Sequence, residues 1–146
     1  MLSVLTVSEV RDRIDTALAD AGYTRSRFVP DLFGRDTDHL VSGSYSISTP
    51  ATTLDQFSGR DQFTDEGEAE TVVEIRTAYR IRPDSQSLDY GQALDQEHQV
   101  LRAALDLDTT YLQVRINGIP RRAVSSAGDW LVSTIRLTIF HRFTFA

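Results

Sequence analysis

The chain has 146 residues and a mass of 16.4 kDa, which suits one folded domain and leaves no room for a second of ordinary size. A hydrophobic content of 40% can fill a core unaided, and the lack of cysteine removes disulfides, thiolate nucleophiles and cysteine-held metals together. The net charge of −6 argues against a general nucleic-acid binder, whose phosphate contacts need a basic surface, although an acidic chain can carry a local basic stripe.

Apart from histidine, every basic side chain is arginine, a bias that fits a GC-rich genome or a high-salt environment and names no function. No apolar run is long enough to span a membrane, and the N-terminus lacks the basic-then-apolar pattern of a secretory leader. The chain is therefore expected to stay in the compartment that makes it.

In chain order, Val7, Val10, Ile14, Leu18 and Ala21 recur at helical spacing, with Thr6 or Ser8 as the cap, Glu9 and Asp12 in the early turns and Gly22 as the stop. Residues 23–38 show no clear period. His39 to Ser48 alternates well enough for a strand closed by Thr49-Pro50, and Ala51 to Ala69 reads as a long, polar, acidic loop. From Glu70 to Arg82 the period is two, with Val73, Ile75, Thr77, Tyr79 and Ile81 on one face and Glu74, Arg76, Ala78, Arg80 and Arg82 on the other. Ser87 to Leu107 returns to helical spacing through Tyr90, Leu94, Leu101 and Leu105, supported by Ala93, Val100 and Ala104. Tyr111 to Ile116 reads as a strand, Asn117-Gly118 as a two-residue hairpin turn, and Pro120 limits the returning arm to an edge. Trp130 to Phe145 alternates for its whole length, with Leu131, Ile135, Leu137, Ile139, Phe143 and Phe145 facing one way. These elements predict an α+β domain: a mostly antiparallel four-stranded sheet with two helices packed on one face.

The element order, the polar loop before a Val-rich strand, and the closing Gly128-Asp129-Trp130-Leu131-Val132 strand that runs on to His141-Arg142-Phe143 resemble the tail terminator, or tail completion, proteins of long-tailed phages and tailed archaeal viruses. The resemblance covers nearly the whole chain and rests on architecture. It implies a structural virion protein without enzymatic activity or cofactor: a homohexameric ring that caps the tail tube and docks a head-completion or neck protein above it. A head–tail connector or neck adaptor has similar size and composition. The resemblance carries no membrane partner, no sequence-specific nucleic acid and no residue roles, so candidate sites come from the residues themselves.

Arg76, Arg80 and Arg82 align on one strand face and Arg136 and Arg142 on another, with Arg115 joining them if its strand lies between. Guanidinium groups so placed either bind acidic neighbours bidentately or pair within the subunit, Glu74 being one available partner. Trp130, Val132 and Phe140 share the face of Arg136 and Arg142. That composition marks an interface hot spot or a second small cluster beneath the long loop. Phe57 and Phe63, within the loop, either tuck back onto the domain or insert into a neighbour.

The chemistry of the remaining polar groups is bland. His39, His98 and His141 form no catalytic spacing, Asp36, Asp38 and His39 read as an acidic loop rather than a metal site or hydrolase centre, and Glu97-His98 reads as a solvated helix flank. His141 reads as a satisfied core-edge histidine.

Overall fold

The computed structural model describes residues 2–32, 37–55, 66–109, 112–118 and 120–144. Helix α1, Val7–Asp20, starts at a capping box: the Thr6 hydroxyl accepts from the Glu9 N–H at 3.1 Å, and the Glu9 carboxylate accepts from the Thr6 N–H at 3.3 Å. It ends in a Schellman turn. Gly22, at φ +94°, lets the Tyr23 N–H return to the Leu18 carbonyl at 3.1 Å while its own N–H reaches Ala19 at 3.0 Å. Helix α2 spans Gln86–Leu105 and buries Ala93, Val100 and Ala104.

The strands are β1 (Thr24–Arg25), β2 (Ser44–Asp55), β3 (Glu66–Arg80), β4 (Gln113–Ile116), β5 (Arg121–Val124) and β6 (Trp130–Thr144). They form one six-stranded sheet in the spatial order β1-β2-β3-β6-β4, with β5 also against β6. Only the short β1–β2 pairing is parallel among these ladders. β3 and β6 pair along their full lengths, from Glu66 opposite Thr144 to Arg80 opposite Trp130. The outer edge of β6 is covered in sections: Val4 bridges to Arg142, β4 lies against residues 137–140 and β5 against 131–134.

Both helices lie on one face of the sheet. Val10, Ile14 and Leu18 of α1 and Val100 of α2 join Val73, Ile75, Tyr79, Leu131, Ile135 and Leu137 in a single core, each fully buried aliphatic side chain contributing about 1.5–3 kcal/mol. The α+β class with two helices on one face thus holds, but the sheet has six strands, not four.

Three further differences have local causes. β2 starts at Ser44 rather than His39, because Thr37–His39 is a 3₁₀ turn and Gly43, at φ +75°, turns the chain into the strand. It then runs through Pro50, which fits because a register shift lies between Ser48 and Ala51 and the outer edge of β2 has no strand partner there among the described residues. The predicted 51–69 loop is strand at both ends, since 51–55 and 66–69 belong to β2 and β3. Ala51 to Leu54 are exposed, so no hydrophobic alternation marks them. Residues 56–65, including Phe57 and Phe63, lie outside the described residues, as does Phe145. Finally, Asn117-Gly118 does not make a hairpin. β4 and β5 run in the same direction along β6, and Gly118, at φ +72°, serves a kink between them.

Candidate functional site

In an antiparallel ladder, directly opposed residues point to the same side. On the helix-free side, Ser46, Arg76, Thr134 and Arg121 make one row across β2, β3, β6 and β5. Ser48, Glu74 and Arg136 make the next. β5 stops opposite Thr134 and β4 opposite Leu137, and the kink fills this gap: the Asn117 N–H donates to the Arg136 carbonyl at 2.9 Å and its side-chain amide donates to Thr138 Oγ1 at 2.6 Å. The result is a groove of about 530 Å³ lined by Glu74, Arg76, Asn117, Gly118, Arg121, Thr134 and Arg136. It shares Arg76, Arg121 and Thr134 with a second hollow of about 400 Å³ that reaches Asp31 and Leu32.

Two arginines therefore hold one carboxylate, and a third lines the same groove. Glu74 accepts from Arg76 Nε at 3.1 Å and from Arg136 Nε at 3.0 Å. Burial alone would raise its pKa, but the hydrogen bonds from Arg136 and Arg76 outweigh this and hold it below the usual glutamate value. Arg121 has no ion-pair partner among the described residues. Such a groove can take carboxylate or phosphate oxygens through forked N–H donors.

Arg76 and Arg136, both singled out in the sequence, are brought together here. The other candidates are dispersed. Arg80 lies over the Trp130 ring, 5.4 Å from its centroid, and Trp130 itself is only 6% exposed, packed with Leu40, Ala78, Val132 and Leu32. Trp130 thus belongs to the second cluster, and among the described residues its cover comes from the chain around Leu32 and Leu40. Arg82 lies beyond β3. Its Nε donates to Asp89 at 3.0 Å and its backbone N–H to the same carboxylate at 2.7 Å, which lowers the pKa of Asp89 and fastens the strand end to α2. β3 and β6 are direct neighbours, so Arg115 does not lie between them: it sits across β6 on β4, opposite Thr138. Phe140 and Arg142 are half-buried near the other end of β6, Phe140 lining a small crevice with Leu2 and Thr53, and Arg142 beside the Val4 bridge.

Two groups escaped the sequence reading. Arg121 follows Pro120, where the pattern breaks. Glu97, expected on the helix flank, falls between Ala93 and Val100 at helical spacing and so shares the buried stripe that Ala93, Val100 and Ala104 make. It is 2% exposed, accepting from Ser133 Oγ and Arg122 Nη2, each at 2.5 Å, and from Arg122 Nε at 2.8 Å. His98, by contrast, is exposed, and His141 is buried with Thr71, whose hydroxyl lies 2.7 Å from Nε2. The Arg142 carbonyl, 3.1 Å from Nδ1, can only accept, so Nδ1 is the donor of that hydrogen bond. Asp36 lies outside the described residues, and among those described no three acidic or histidine side chains gather as a metal site.

No protein-family model matches the chain, and no curated protein matches it in sequence.

Proposed function

We propose that this chain is a structural assembly subunit that works by docking and catalyses no reaction. It is of the tail-terminator kind its sequence resembles: copies ring the head-proximal end of a tail tube and join it to the neck. The observation that carries this reading is the groove of Arg76, Arg121 and Arg136 on the helix-free face. Guanidinium groups crowded around a single carboxylate repel one another, and a carboxylate-rich protein surface relieves that repulsion by bidentate pairing. An α+β subunit is also what the resemblance implies.

The test is imaging of purified virions with this chain labelled. The expected result is several copies arranged as a ring where the tail meets the neck. Absence from that junction, or a single copy there, overturns the reading. A ring held entirely within the neck, out of contact with the tail tube, transfers the chain to the head–tail connectors.

A further inference from the structure

We infer that copies of this chain associate head to tail, the arginine groove of one receiving the acidic helical layer of the next. This rests on the docking role proposed above and specifies which two surfaces meet. The domain is a two-layer sandwich whose outer faces differ in charge. The sheet layer presents Arg76, Arg121 and Arg136 around Glu74. The opposite layer exposes Asp12 and Asp20 on α1 and Asp95 on α2, with Asp106 just after it. None of these four carboxylates has a side-chain partner among the described residues. Arg11, Arg13 and Arg102 are interspersed there, but acidic side chains outnumber them.

Charge then decides between the possible contacts. Sheet against sheet would set arginine against arginine, and helix against helix would set aspartate against aspartate, each costing like-charge repulsion. Only sheet against helix pairs opposite signs. Because those two surfaces lie on opposite sides of one subunit, the contact is heterologous: each copy keeps one free groove and one free acidic layer. Such contacts propagate, and they close into a ring when the rotation per copy permits. A nucleic acid at the groove would have to approach a chain of net charge −6, which favours the protein partner.

A charge exchange tests the pairing on the full chain, by sedimentation velocity at low salt with far-UV circular dichroism to confirm folding. Arg121→Glu/Arg136→Glu makes both layers acidic, and Asp95→Arg/Asp106→Arg makes both basic or less acidic. Each variant alone should self-associate at least about tenfold more weakly than the wild type, whose own association should weaken with added salt. An equimolar mixture of the two should regain association, because every junction between unlike variants is complementary. If either charge reversal impairs folding, Arg121→Gln with Arg136→Gln and Asp95→Asn with Asp106→Asn each give the single-variant loss with a smaller shift. Wild-type-like association of the acidic-layer variant overturns the inference. So does a wild type that stays monomeric at its highest soluble concentration. Binding of random-sequence DNA that the arginine variant loses, with self-association unchanged, also overturns it in favour of a nucleic-acid partner. None of these results moves the chain within the virion, so the imaging experiment judges the docking role separately.

Discussion

The fifteen opposed pairs of the β3–β6 ladder alternate between its two sides, yet those sides are built for different neighbours. On the helix side, Val73, Ile75, Leu131, Ile135, Leu137 and Ile139 are fully buried beneath α1 and α2. On the other side, among the described residues, the apolar cover lies over Trp130, Val132 and Ala78, and the next rows open onto arginines. The lesson is that alternation along a strand assigns side chains to a face without saying what covers that face. The helix side is closed by elements whose own period announces them. The far side is closed in part by a segment without any period, and in part by nothing among the described residues.

This contrast makes the core side the more sensitive to truncation. Leu137→Ala removes a fully buried side chain between the helices and the sheet and should cost about 4 kcal/mol, since the tightly paired β3–β6 ladder limits collapse into the cavity. Urea denaturation reads this as a lower midpoint with an unchanged slope. A loss below about 1 kcal/mol would mean that the site relaxes freely and that the two sides differ less than their burial implies.

Trp130→Ala asks whether the second cluster is a core at all. With Trp130 packed on Ala78, Val132 and Leu40 and capped by Arg80, the loss should be about 3 kcal/mol, at the low end for tryptophan because the cluster is small. A near-neutral effect would leave Trp130 with the other alternative its sequence allowed, an interface hot spot.

Much of the helix side was legible because its signals are redundant: a capping box at Thr6 and Glu9, a glycine stop at Gly22, and period-two runs that bury alternate residues. The β2 and β3 ends were not, because Ala51 to Leu54 satisfy their backbone by pairing while exposing their side chains, and no burial pattern records that. The candidate groove was half legible. Arg76 and Arg136 lie in clear strands, whereas Arg121 enters through a segment that Pro120 separates from β4. Sheet order, which decides whether Arg115 stands inside or outside the group, has no local signal. The six strands exceed the four expected because β1 and β5 are short pieces laid along longer neighbours, whereas β4 falls within the strand expected up to Ile116.

Between the two sides, the pair Arg122–Glu97 ties β5 to α2. Removing either partner should have unequal effects. Arg122→Ala strands a carboxylate that is 2% exposed with only Ser133 as donor, and should cost about 2 kcal/mol, discounted because the guanidinium is partly solvated. Glu97→Gln leaves an arginine that can turn to water, and should cost about half as much. Equal losses would show that the pair acts only through packing.

Acid should weaken the groove before it weakens the apolar core. Glu74 has a folded pKa below its ordinary 4.5, so its contribution to stability is present above that value and is lost as pH falls through the folded value. Asp89, held down by Arg82, behaves in the same sense. Thermal midpoints between roughly pH 5 and pH 3 should therefore fall less steeply for Glu74→Gln than for the wild type. Identical slopes would show that Arg76 and Arg136 leave the carboxylate no more acidic in the folded chain than in the unfolded one.

The smallest expected effect is the most discriminating. Arg121 stands in the groove without an ion-pair partner among the described residues, opposite Thr134 and in the same row as Arg76. Arg121→Glu exchanges an unpaired exposed charge for one of opposite sign beside Arg76, so stability should change by no more than about 0.5 kcal/mol, in either direction. For a chain of this length that is a shift of roughly 2 °C in thermal midpoint, so replicate scans are needed to bound it. A clear loss would mean that the guanidinium supports the sheet, and the groove would then be an internal feature of the fold. A clear gain would show that the unmodified arginine is held against electrostatic strain. A gain beyond the expected bound would strengthen the case that the opposite charge is supplied by another molecule.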